Sequence, residues 1–215
     1  MPLLLYCVAP ESAPATALPG LGGTPVASVP LAALQWFFSE MADPPVTRSS
    51  DSQIVADARA FNAVLQDLFS RTAILPFRYP TTVSNRAELE KLAAERAPRM
   101  RNFLESILGK AQLDVRFTLA PIEEAQSGSG SEYLRARASR RGRLAQAVEV
   151  CRQAAPVADF KVAEGPENIR CSLLIPRSEV VLFVKRMRTL ELPEGIQTAV
   201  SGPWPPTAFW EDEPR

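Results

Sequence analysis

Adjacent carboxylates, thiols and a glycine-serine run before a helix are the groups in this sequence whose types and spacing could do chemistry. Histidine is missing from all 215 residues. That removes the usual general base near neutral pH, the common imidazole metal ligand and every Ser-His or Cys-His couple. Glu123-Glu124 and Glu211-Asp212-Glu213 are paired only in sequence; in polar segments nothing separates their pKa values as acid-base catalysis requires. Cys7, Cys151 and Cys171 are odd in number, far apart and set among apolar residues. They read as small buried side chains and fit neither a CxxC metal site nor a secreted disulfide framework, which points to a reduced cytoplasm. Gln126-Ser127-Gly128-Ser129-Gly130-Ser131 precedes a helix but lacks the P-loop lysine and the full dinucleotide fingerprint, so it reads as a flexible loop. No catalytic, cofactor or metal residue is assigned, and the chain is expected not to be an enzyme.

Charge excludes further classes. Lys plus Arg and Asp plus Glu number 24 each, so no global field favours nucleic acid or an anionic membrane. Arg135, Arg137, Arg140, Arg141 and Arg143 form the one dense basic run, but they spread around a helix and read as solvated surface. Leu3 to Val8 has no basic region before it and is too short for a signal peptide, and Leu31 to Phe38 is too short to cross a bilayer. Neither a nucleic-acid nor a membrane partner is expected.

The elements that must position any site follow from periodicity. With 46% hydrophobic residues, the chain can bury a core in each of two domains. Leu3 to Val8 is continuously apolar, as in a strand at the centre of a sheet. A long Pro/Gly loop follows. Val26 to Val29 and Leu31 to Phe38 then read as two strands or one strand broken near Pro30, with Trp36, Phe37 and Phe38 entering the core. Ser49-Ser50-Asp51-Ser52 offers N-caps to a helix with Ile54, Val55, Ala58, Phe61, Leu65, Leu68 and Phe69 inward and Asp57, Arg59, Asn62 and Gln66 outward. Ile74 to Phe77 is a short strand. Asn85-Arg86-Ala87-Glu88 resembles a capping box before a helix ended by Gly109, and Pro98 should kink or split that helix.

From Leu113 the pattern becomes βαββαβ. Leu113, Val115, Phe117 and Leu119 alternate; a helix runs from Ser131 to about Ala154; Ala158, Phe160 and Val162 alternate again, followed by Ile169, Cys171, Leu173 and Ile175. A helix with Val180, Val181, Phe183, Val184 and Met187 precedes a strand with Ile196, Thr198 and Val200. The fold class is therefore α+β with two domains, the C-terminal one ferredoxin-like. The expected divisions are 1–111, 112–202 with a mobile loop at 120–131, and a Pro/Trp-rich tail at 203–215 packing on the domains. RNA-binding domains share this topology. The sheet face opposite the core, however, would show Asp114, Arg116, Thr118, Asp159, Lys161, Arg170, Ser172, Leu174 and Gln197, none of them a base-stacking aromatic.

Two segments resist helix and interior strand alike: Ile74-Leu75-Pro76-Phe77-Arg78-Tyr79-Pro80-Thr81-Thr82 and Ser201-Gly202-Pro203-Trp204-Pro205-Pro206-Thr207-Ala208-Phe209. With Gly130-Ser131-Glu132-Tyr133-Leu134 between them, they resemble the F/L family of gas vesicle accessory proteins, whose members read close to L-P-F-R-F-G-T, G-x-x-Y-L-x-x-[RK] and G-P-W-P-P-Y-x-F, in that order. Matching positions are Leu75, Pro76, Phe77 and Arg78, then Gly130, Tyr133 and Leu134, then Gly202, Pro203, Trp204, Pro205, Pro206 and Phe209. Tyr79-Pro80-Thr81-Thr82 and Thr207 depart from the pattern, as does the lack of a histidine in the helix before Leu75.

The resemblance implies two α+β domains and a non-enzymatic role in vesicle assembly. It also implies binding to the hydrophobic shell subunit and other accessory proteins, and a place in the cytoplasm and on the gas vesicle. Trp204, between its prolines, is expected to be buried at the junction of the domains.

Overall fold

Eight strands and four helices arise from these patterns in a computed structural model that describes residues 1–42, 51–119, 130–155, 159–165 and 168–211. Ser49, Ser50, the 120–129 segment with Glu123 and Glu124, Ala158, Asp212 and Glu213 lie outside the described residues. So do the side chains of residues 51, 130, 132–134, 136 and 137. The chain groups into two compact units, Met1–Gly109 with Trp204–Trp210, and Lys110–Pro203 with Glu211.

The first unit is built on β1 (Leu3–Pro10), β2 (Ala27–Leu31), β3 (Leu34–Glu40) and β4 (Leu75–Val83), in the antiparallel order β2-β3-β1-β4. Continuous apolarity puts β1 inside the sheet, where Leu3 to Ala9 are all buried. Each large side chain hidden in this way contributes about 1.5–3 kcal/mol. Trp36, Phe37 and Phe38 on β3 are buried with them. The break between β2 and β3 is not at Pro30, which pairs with Gln35 on the edge strand, where a missing N–H does no harm. It is a two-residue turn at Ala32 and Ala33, with φ of 51° and 60°. Both residues sit in the left-handed region that a tight hairpin demands, although neither is glycine.

Helix α1 (Asp51–Arg71) buries Phe61, Val64, Leu65, Leu68 and Phe69. Its first turns depart from expectation: Ile54 and Val55 are 48% and 50% exposed, whereas Asp57, assigned to the polar face, is 3% exposed. Gln53 Nε2 donates to Asp57 Oδ1 at 2.7 Å, which provides the buried carboxylate with a partner. Ala58 is exposed as well. Helix α2 (Arg86–Ser106) starts as its sequence requires. The Asn85 side chain accepts from Glu88 N, and Glu88 Oε2 reaches back to accept from Ser84 N at 2.6 Å. The helix does not split at Pro98. Ala93, Ala97, Met100 and Leu104 form a buried stripe on both sides of it, and this packing outweighs the lost hydrogen bond. Gly109, at φ 70°, then turns the chain out of the helix.

The second unit runs β5 (Lys110–Leu119), α3 (Gly130–Ala154), β6 (Asp159–Glu164), β7 (Asn168–Pro176), α4 (Val180–Arg188) and β8 (Ile196–Trp204). Its strand order is β6-β7-β5-β8, so each helix carries the chain past one strand before the next joins the sheet. The alternating residues Leu113, Val115, Phe117, Cys171 and Leu173 meet Leu144, Ala147 and Cys151 of α3 and Phe183 and Met187 of α4 in one core. Val181, assigned to that core, is instead 80% exposed, because Phe183 and Met187 define the buried side of a nine-residue helix.

Candidate partner-binding site

The Leu75-Pro76-Phe77-Arg78 motif lies in β4, an edge strand, and interrupts its pairing. Leu5 of β1 faces Thr81 and Cys7 faces Pro76, so the single residue Tyr6 stands opposite the excursion Phe77, Arg78, Tyr79 and Pro80. Pro76 and Pro80 make regular pairing impossible there, and the strand is longer than the Ile74–Phe77 piece expected. Leu75 is buried, Phe77 and Tyr79 are half-buried and Arg78 is exposed.

Aromatic contacts fix the excursion. Phe77 stacks on buried Trp36 with ring centres 5.8 Å apart. Tyr79 meets Phe61 of α1 edge-on at 5.2 Å, and Phe61 stacks on Tyr6 at 5.0 Å. Such pairs contribute about 0.5–1.5 kcal/mol each beyond the area they bury.

Tyr6 also ties down the long proline-glycine loop. Leu21 N donates to the Tyr6 hydroxyl at 2.9 Å, that hydroxyl bonds Ser39 Oγ at 3.1 Å, and Ser39 Oγ donates to Pro25 O at 2.8 Å. Since Ser39 spends its proton on Pro25, Tyr6 is the donor to Ser39, and each hydroxyl donates once and accepts once. Gly20 permits the approach: a Cβ there would lie 2.2 Å from the Tyr6 hydroxyl oxygen. Further along the same loop, Thr16 Oγ1 donates to Asp67 Oδ2 at 2.6 Å and Arg71 donates to Ala15 O.

The proline-tryptophan run differs from expectation. Gly202, Pro203 and Trp204 finish β8, an edge strand, and the residues buried next are Pro205 and Pro206. Trp204, expected to be buried, is 37% exposed. Phe209 is half-buried at the end of a single 3-10 turn. Trp210, further along the tail, is edge-on to Phe103 of α2 at 5.1 Å with the Arg99 guanidinium 5.1 Å over its ring. Trp210 lies outside the motif positions, its signal in the sequence being only that it is an aromatic beside a proline-broken run, whereas Tyr79 stands at the second aromatic of the first motif.

The motif residues are thus divided. Leu75, Pro76, Phe77, Arg78, Trp204, Pro205, Pro206 and Phe209 belong to the first unit. Gly130, Tyr133, Leu134, Gly202 and Pro203 belong to the second. Gly130, Tyr133 and Leu134 sit at the start of α3, their side chains outside the described residues.

Elsewhere in the second unit the arginines of α3 serve local contacts. Arg141 pairs with Glu164 at 2.7 Å, Arg143 Nη1 donates to Glu194 O at 3.1 Å, and Arg152 lies 4.4 Å over the Phe160 ring. The sheet face assigned to solvent is partly covered, since Gln112, Ser172 and Leu174 are each 5% exposed. Asp114 Oδ1 accepts from both Gln112 Nε2 and Ser172 Oγ, at 2.9 and 2.7 Å, which satisfies those buried groups. All three cysteines are free and buried. Burial pushes the Cys7 thiol up; a hydrogen bond to Cys171, together with burial, does the same for Cys151. A thiolate is therefore disfavoured at both positions. Among the described residues no helix is long and apolar enough to cross a membrane.

Two four-stranded antiparallel sheets with these helices define the class of protein by fold. The chain superimposes on the crystal structure of gas vesicle protein GvpF from Anabaena sp. PCC7120 with a TM-score of 0.79, at 17% identity over 99% of both chains. It superimposes on GvpF from Microcystis aeruginosa with a TM-score of 0.76, at 13% identity over 97% of this chain and 98% of that one. In sequence it is 27% identical over 192 residues to gas vesicle protein L of Streptomyces sp. (strain CB03234), covering 75% of this chain and 72% of that protein. The family model for gas vesicle synthesis protein GvpL/GvpF matches residues 2–211, and the chain belongs to that family.

Proposed function

We propose that this protein works without catalysis in gas vesicle assembly, binding the hydrophobic shell-forming subunit and other accessory proteins in the cytoplasm and at the growing vesicle. The observation that carries this reading is membership of the gas vesicle synthesis family over residues 2–211. A shell subunit is apolar and prone to aggregate before it polymerises, so a protein that covers its apolar face governs where growth begins.

The β4 excursion supports this reading as a contact. It sets half-buried Phe77 and Tyr79 beside exposed Arg78 on a sheet edge, and the rings behind it hold its shape. The motif residues of α3 and of the proline-tryptophan run are further contact candidates. We read the second unit as a ferredoxin-like domain, on its βαββαβ order and its β6-β7-β5-β8 sheet. The working division remains 1–111, 112–202 and a tail at 203–215.

Co-expression with a tagged shell subunit from a neighbouring gene tests the function. The protein should co-purify, and Arg78→Glu should weaken capture while the melting temperature stays unchanged. No co-purification by the parent protein would sink the reading; undiminished capture by the variant would remove β4 from the interface.

A further inference from the structure

Strand β8 closes the order of the second sheet, so among the described residues one of its edges has no strand beside it. Its side chains Ile196, Thr198 and Val200 face α4, where with Val184, Met187 and Leu192 they line a groove of about 400 Å³. That volume is within the range that holds a ligand or several side chains. Arg188 is the charged residue of the lining, and the last turn of α4 adds Lys185 and Arg186. Thr198 Oγ1 is buried with no hydrogen-bond partner, an unusual state for a hydroxyl.

An unpaired strand edge beside an apolar groove is the geometry of strand addition. Main-chain bonds to the edge supply affinity, and alternate side chains entering the groove supply selectivity. We propose that β8 and α4 form a docking groove for an extended segment of a partner protein that carries an aliphatic side chain two residues from a carboxylate, which puts both on the face that enters the groove. The aliphatic group fills the space between Val184 and Val200, and the carboxylate meets Arg188. Charge decides against a second copy of this chain, because Ile196 to Ser201 contains no acidic residue to answer Arg188. The groove belongs to the second unit and the β4 excursion to the first, and the inference stands whether or not that excursion binds anything.

The probe is a short fluorescent peptide of repeating Val-Thr-Glu-Thr, which places valine and glutamate on one face of a strand, titrated into the full-length protein by polarisation. A copy with lysine in place of glutamate and a copy of the probe N-methylated at alternate amides serve as controls. The acidic peptide should bind, with amide chemical-shift changes confined to β8 and α4, and N-methylation should abolish binding. Arg188→Glu, at an exposed position, should weaken binding at least about tenfold and favour the lysine peptide instead. Failure of the acidic peptide to bind, shift changes elsewhere, or indifference to N-methylation or to Arg188→Glu would each overturn the proposal. Displacement by a free fatty acid with no peptide binding would make the groove a lipid site, and concentration-dependent self-association through β8 would give the edge to a second copy; either result also overturns it.

Discussion

The two proline-broken runs of this chain solve the same problem in opposite ways. Both lie on edge strands, where a missing N–H is tolerated, and both contain a cis X–Pro bond. The Leu75–Pro80 run leaves its sheet and turns aromatics inward, Phe77 onto Trp36 and Tyr79 onto Phe61. The Gly202–Pro206 run buries its last two prolines and leaves Trp204 37% exposed, while Trp210 six residues on meets Phe103 edge-on. Proline spacing therefore fixes where an extended edge must be. It does not say which neighbouring ring is buried, because that depends on what the other elements bring opposite.

The comparison breaks first at Phe61. Its buried ring touches both Tyr6 and Tyr79, so Phe61→Ala should lower unfolding free energy in urea by about 3–5 kcal/mol. A cost below about 1 kcal/mol would mean that the rings do not hold the β4 excursion.

Next in size is Tyr6→Phe, which keeps the ring but strands Leu21 N in the interior and takes from Ser39 Oγ the bond it accepts. A loss of about 1–3 kcal/mol is expected. Faster hydrogen exchange at Leu21 would tie it to the loop.

Trp210→Ala should cost about 1–2 kcal/mol through its contacts with Phe103 and Arg99, and Trp204→Ala less than about 1 kcal/mol. Thermal melts that reverse this order would return the tail's anchoring role to Trp204.

The smallest effect is at Glu88, whose carboxyl is held below its usual range by hydrogen bonds from the Ser84 backbone and side chain. A depressed folded-state pKa stabilises the protein above the unfolded-state value, and that contribution disappears as pH falls through the folded-state pKa. Glu88→Gln should accordingly melt below the parent at neutral pH and converge with it in acid. A constant gap across that range would show that the charge is irrelevant to the cap.

Much of the fold was legible because it rests on period and punctuation. The apolar run of β1, the alternation of β5 and β7, and the Asn85 to Glu88 cap each carry a local physical cause. What was missed depends on pairing and packing that residue types alone do not state. Asp57 is buried because Gln53 satisfies it, α2 survives Pro98 because its stripe is packed on both sides, and Ala32 and Ala33 accept a strained turn because β2 and β3 are already paired. The motif residues identified a family, but their spacing gave no hint that Trp210 would meet Phe103 and Arg99.

The grouping of Trp204–Trp210 with the first unit has a consequence for synthesis. A ribosome works from the N-terminus, and domains ordinarily complete themselves in the order in which they emerge. Here α2 leaves the exit tunnel with Phe103 uncovered, and all of Lys110 to Pro203 must be translated before Trp210 can reach it. The half of the molecule that is made first therefore cannot be finished until nearly all of the other half has been made.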